Sequence, residues 1–185
     1  MGRWEPNAQS RLRQAAMDLY ASRGFERTTV AEIAEKAGLT ERTFFRHFAD
    51  KREVFFAGSE RLRELLVATV TDAPVEAGPA QAVAAAFESV AADYFPPVAF
   101  SRQRQSVIDA NISLQERELV KLHAVAAELA AALQRRGVSE LRAAIAAESG
   151  VAAFKVAFSR WINDPDDREL STHMREALAE LRRAA

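Results

Sequence analysis

The stretch Thr28–Lys51, TTVAEIAEKAGLTERTFFRHFADK, carries the strongest fold signal in this chain. Thr29 and Glu32 have the spacing of a capping box and predict a helix start. Ile33, Ala34 and Ala37 supply that helix with a buried side, and Gly38 ends it. After the turn Gly38-Leu39-Thr40, Thr40 caps a second short helix, Glu41 to Phe48. Two short helices joined by a tight glycine-containing turn form a helix-turn-helix. Its second helix has to fit a DNA major groove about 12 Å wide, so it needs an inner anchor and an outer working face. Phe44 and Phe48, at i and i+4, make the anchor. Arg42, Thr43, Phe45, Arg46 and His47 project elsewhere.

Working outward, the chain reads as helical throughout. Upstream, Leu12, Ala15, Ala16 and Leu19 form one apolar face of a helix over Ser10–Arg23, stopped by Gly24. Downstream, Asp50 and Glu53 repeat the capping-box spacing and predict one long fourth helix. Residues 72–79, DAPVEAGP, interrupt the helical pattern. Further helices are expected near 83–94, 98–110, 113–136 and 140–162. The run Asp164-Pro165-Asp166-Asp167 predicts the start of a ninth, from Pro165 to about Arg183. The expected fold is all-α with about nine helices. The expected domains are 1–55, binding DNA, and 56–185, sensing a ligand and dimerising.

Composition narrows the function classes. With 25 Lys and Arg against 26 Asp and Glu, the net charge is -1, so any nucleic-acid surface has to be a local patch. The absence of cysteine removes disulfides, thiol catalysis and Cys-based metal sites. No stretch approaches the roughly 18 apolar residues that span a bilayer. The opening MGRWEPNAQSRLRQ is polar, so a cytoplasmic protein without membrane association is expected. There is no Gly-rich phosphate loop, nucleophile elbow or His-Glu-x-x-His run, and three scattered histidines predict no metal site. The chain is therefore expected not to be an enzyme and to need no cofactor.

The N-terminal stretch resembles the DNA-binding domain of the TetR family of bacterial repressors. The resemblance rests on Gly24-Phe25, Thr28-Thr29, Ile33-Ala34, Ala37-Gly38, Thr43-Phe44-Phe45, His47-Phe48 and Asp50-Lys51, and covers about the first 55 residues. It implies roles for individual residues. Thr29 is a phosphate contact, Thr40 and Thr43 approach base edges and phosphates, and Arg42 is a base reader. Phe45 stands where the family usually has Tyr, without the phenolic hydroxyl. His47 and Lys51 resemble phosphate contacts, and Arg46 serves either groove or phosphate. Arg3, Arg11 and Arg13 are candidates for further phosphate contacts.

The resemblance also implies a double-stranded operator, a small-molecule effector and a ligand cavity among helices four to eight. Phe87, Tyr94 and Asn111 are candidate linings, joined by His123, Phe154 and Phe158. His123 reads as an interior histidine, either satisfied in the core or hydrogen-bonding in a pocket. His173 reads as a surface or dimer-edge residue. A single recognition helix reads only a few base pairs, so a homodimer on a palindrome is expected. Its interface is expected on helices eight and nine, through Phe154, Phe158, Trp161, Leu170, Met174, Leu178 and Leu181. Arg102, Arg104 and Asp109 on helix six are candidates for salt bridges or for coupling. The alternative is a helical small-molecule-binding protein without DNA-binding activity.

Overall fold

The computed structural model describes residues 8–184, and every regular element among them is helical. The helices are α1 (Ala8–Arg23), α2 (Val30–Lys36), α3 (Glu41–His47), α4 (Ser59–Thr71) and α5 (Pro79–Asp93). They continue with α6 (Val98–Asp109), α7 (Ile112–Arg135), α8 (Glu140–Ile162) and α9 (Leu170–Ala184). A short 3-10 turn, Glu53–Phe56, lies between α3 and α4. No helix among the described residues is long and apolar enough to cross a membrane.

Contacts divide the chain into two compact units. The first holds the residues up to Ala57 together with Gln103–Glu116, and the second holds Gly58–Arg102 with the chain from Arg117 onward. A single cut between residues 55 and 56 misses this return of the chain. The returning segment is tied in by Arg104, whose Nε donates to the Phe55 carbonyl at 2.7 Å and whose guanidinium lies 5.3 Å from the Phe56 ring centre. Val107, Ile108 and Leu114 on the same segment are buried.

In the first unit the apolar face of α1 packs against α2, α3 and the 3-10 turn. Leu12, Ala16, Ile33, Phe44 and Val54 are fully shielded from solvent. Three rings close the core: Tyr20 stacks on Phe55 at 4.7 Å, and Phe25 meets both, at 5.3 Å and 5.8 Å. Tyr20 keeps its hydroxyl satisfied by donating to the Lys51 carbonyl at 2.8 Å. Burial, reinforced by the nearby Asp50 carboxylate, pushes its phenol well above the ordinary range.

The second unit is built on α8. One face, from Ala143 and Ala147 through Gly150 and Phe154 to Trp161, is buried against α5 and α9. Gly150 lets α5 approach closely: a Cβ there would stand 2.3 Å from Val83 Cγ1. Arg136, just past α7, donates to the carbonyls of Val70, Ala73 and Pro74 and so satisfies the open end of α4.

Two helix boundaries differ from the expectation. The long fourth helix is broken, because Gly58 at φ +95 separates the 3-10 turn from α4. Tyr94 donates its hydroxyl to the Gly58 carbonyl at 2.5 Å. The ninth helix starts at Leu170 and not at Pro165. Asp164 does accept the Asp166 amide, at 2.9 Å, but it then turns to Arg168 Nε at 2.8 Å and His173 Nε2 at 2.7 Å. The His173 contact is close enough for an ion pair but lies off the line of the ring N–H. The carboxylate therefore organises a turn before the helix begins. Arg102 secures the same turn by donating to the carbonyls of Ile162 and Asp164 and to Asp167.

Candidate nucleic-acid interface

Both short helices of the first unit start on threonine, as local chemistry requires. Thr29 Oγ1 accepts from the Glu32 amide at 3.2 Å, and Glu32 returns a carboxylate oxygen to the Thr29 amide at 2.8 Å. That amide, with the Thr29 hydroxyl, holds the Glu32 carboxyl below its usual range. Thr40 Oγ1 accepts from the Thr43 amide at 3.2 Å and lies 3.1 Å from the Thr43 hydroxyl. The turn between the helices needs Gly38, at φ +64, and is supported from behind by Arg11, which donates to the Ala37 carbonyl at 2.6 Å.

The two sides of α3 divide cleanly. Phe44 is fully buried and Phe48 nearly so, with ring centres 5.5 Å apart. Arg42, Phe45 and Arg46 are exposed, and with Thr43 they line one open hollow. Phe45 keeps 55% of its surface exposed although it sits edge-on to Phe44 at 5.5 Å.

Charge sharpens the picture. Most cations around α3 are held within the protein. Arg23 pairs with Glu32, Lys36 with Asp18, and Arg52 with Asp50. Arg27 donates to the Arg23 carbonyl, and Arg11 supports the turn. Arg13 also has an interaction partner. Among the described residues of the helix-turn-helix, Arg42 and Arg46 make no hydrogen bond or ion pair. They stand one helical turn apart on the exposed side.

Two proposed phosphate contacts are placed differently from the rest. Lys51 directs its ammonium inward, to the carbonyls of Phe25 at 2.9 Å, Glu26 at 3.1 Å and Thr28 at 3.0 Å. Its three donors are all occupied, so it closes the α1–α2 loop instead of standing free for a phosphate. His47 is half-buried, and its Nε2 is shielded without a hydrogen-bond partner. Arg3 lies outside the described residues.

The remaining candidates belong to other parts of the chain. Phe87 stacks on Phe154 at 5.5 Å, and Phe95 touches Phe154, Phe158 and Trp161 at 5.6 to 6.2 Å. These rings fill space against one another. Two of the expected lining residues do not join them. His123 is exposed, 3.9 Å from Glu148, and Asn111 lies in the first unit with its amide on the Val107 carbonyl. The two histidines exchange their expected places, since His173 is the buried one.

The expected dimer residues are corrected in the same way. Phe154, Trp161, Leu170, Met174 and Leu178 are buried within their own chain, Phe158 is half-buried, and Leu181 alone is exposed. A stripe that the sequence reading missed runs along the other side of α8. Leu141, Ile145 and Val156 are 71%, 58% and 54% exposed, and helical geometry aligns them with Ala152 and with the exposed Glu148 between them.

Comparison with known proteins agrees with the geometry of the first unit. The family model described as bacterial regulatory proteins, tetR family, matches residues 12–57. The helix-turn-helix-type transcriptional regulator TcmR of Streptomyces glaucescens is 38% identical over 82 residues, which are 44% of this chain and 36% of TcmR. The uncharacterized regulator YvkB of Bacillus subtilis is 48% identical over 42 residues, 23% of this chain and 22% of YvkB. The match thus spans about a third or less of these relatives.

Likeness to solved structures is wider but shows the fold alone. The SmeT–triclosan complex superposes with a TM-score of 0.64 at 21% identity, covering 97% of this chain and 91% of that one. SmeT is described as the repressor of a Stenotrophomonas maltophilia multidrug efflux pump. NalD, described as the secondary repressor of a Pseudomonas aeruginosa efflux pump, has a TM-score of 0.61 at 17% identity, covering 95% and 96%.

Proposed function

From a chain that belongs, through its N-terminal domain, to the tetR family of bacterial regulatory proteins, we infer a ligand-responsive repressor acting in the cytoplasm as a homodimer on a palindromic operator. The observation that carries this reading is the outer side of α3, where Arg42 and Arg46 stand unpaired while Phe44 and Phe48 anchor the inner side. Free guanidinium groups on an anchored helix suit a major groove and its flanking phosphates. Thr29, Thr40, Thr43 and His47 border the same helix-turn-helix and complete the proposed contact set. Lys51 enters it as the residue that fixes the α1–α2 loop.

Pairing of two chains supplies the second recognition helix that a palindrome requires. The exposed Leu141, Ile145 and Val156 on α8, with Leu181 on α9, support that pairing. The aromatic cluster of Phe87, Tyr94, Phe154 and Phe158 is the proposed effector site, where an apolar molecule would wedge between rings. Binding there would favour a spacing of the two recognition helices that fits the operator less well.

Fluorescence anisotropy on the DNA upstream of its own gene, across a salt series, tests the reading. Affinity is expected to fall steeply with salt as bound counterions are released. Arg42→Ala with Arg46→Ala should weaken binding by at least an order of magnitude, each contact being worth about 1–3 kcal/mol. Affinity that is independent of salt, or untouched by the double change, overturns the reading.

A further inference from the structure

We propose that each operator half-site contains two guanines within three consecutive base pairs, one read by Arg42 and the other by Arg46, beside a thymine whose methyl packs on Phe45. This rests on the DNA-binding reading above and goes beyond it by naming the bases.

The hollow on α3 is lined by Arg42, Thr43, Phe45 and Arg46, and both of its charged groups are cations. The two guanidinium groups are pure donors. The Thr43 hydroxyl is already beside the Thr40 hydroxyl at 3.1 Å. Glu41, the acid of the first turn, does not line the hollow. The two forked cations that dominate this face favour base edges that accept twice. In the major groove guanine offers two acceptors, N7 and O6, in the forked arrangement that a guanidinium matches. Adenine and cytosine present an amino donor there, which a guanidinium cannot accept.

Spacing fixes the window. Arg42 and Arg46 are separated by four residues, about 6 Å along the helix at 1.5 Å per residue. Bases stack about 3.4 Å apart, so the two side chains reach positions about two steps apart. Phe45 sits about 60° around the helix from Arg42, on the same outward side. The thymine methyl is the apolar group of the major-groove edge, and it gives this exposed ring a contact that a row of phosphates does not.

The test begins by selecting tight binders from randomised duplexes with the full chain. The preferred duplex is then rebuilt with 7-deazaguanine at each selected guanine and with deoxyuridine for the thymine. Loss of a guanine contact should weaken wild-type binding by about 5- to 100-fold. That loss should disappear at one guanine in Arg42→Ala and at the other in Arg46→Ala. Phe45→Ala should abolish the preference for thymine over uracil. The proposal is overturned if both arginine variants weaken all duplexes equally, lower the salt slope by about one each and ignore 7-deazaguanine. The guanidinium groups then hold phosphates, and the DNA-binding reading survives. Absence of any salt-dependent duplex binding overturns that reading itself.

Discussion

The Lys51 ammonium lies 4.4 Å from the centre of the Phe25 ring while it donates to the backbone carbonyl of that same residue at 2.9 Å. With Glu26 and Thr28 also receiving its protons, one side chain closes the loop between the first two helices. Replacement by methionine keeps the stem and removes the charge. Lys51→Met should cost about 2 kcal/mol, from charged hydrogen bonds and the cation–ring contact together. Urea unfolding measures this. The same variant should leave the salt slope of DNA binding unchanged, and a slope lower by about one would make Lys51 a phosphate contact after all.

Gly150→Ala sets helix propensity against packing. Alanine is favoured over glycine inside a helix by about 1 kcal/mol. Here the added carbon would meet Val83 at 2.3 Å and Phe87 at 3.0 Å, inside a filled core. Overpacking of this kind costs about 1–3 kcal/mol, so melting should occur a few degrees lower. A raised melting temperature would mean that α5 moves aside without cost.

Asp164 makes stability depend on acid. The Asp166 amide holds its carboxyl below the ordinary carboxylate range, and Arg168 and His173 assist against the effect of burial. Because the fold prefers the ionised form, this contribution is complete above about pH 4, the unfolded carboxylate's value. It is lost as pH falls through the lower, folded value. Denaturation midpoints should therefore drop on acidification more steeply in the wild type than in Asp164→Asn. Parallel curves would remove Asp164 from the account.

Association should depend directly on the exposed side of α8, whereas the apolar residues of α9 that the chain already covers should govern folding. Ile145→Asp places a charge in the middle of the exposed stripe and should give a folded monomer by sedimentation with an unchanged helical circular dichroism spectrum. Met174→Asp buries the same charge in a fully enclosed position and should unfold the second unit instead. A dimer that persists in Ile145→Asp rules out the stripe as the interface.

The helix-turn-helix was legible because its determinants are local. Thr29 with Glu32, and Thr40 with Thr43, make bonds spanning three residues, and Phe44 and Phe48 are one turn apart. Long-range partners were not legible. Nothing near Lys51 in sequence announces that its ammonium is claimed by carbonyls 23 to 26 residues earlier. Asp164-Pro165 carries helix-start chemistry, yet its carboxylate is drawn to Arg168 and His173 and the helix starts later. His123 lies between Leu122 and Ala124 and His173 between Thr172 and Met174, so the local sequence favours covering the wrong ring, and only tertiary packing decides. The apolar run of α9 was recognised as buried, but periodicity cannot distinguish the chain's own core from a second copy.

The separation of duties on α3 has an evolutionary corollary. Residues that keep the rod in place point one way, and the residues proposed to face the duplex point the other. On the proposed reading, changes at positions 42, 45 and 46 would redirect such a regulator to a new address on the chromosome while its scaffold stays intact. Drift among descendants of this gene should accumulate on that outer strip far faster than at Phe44 or Phe48.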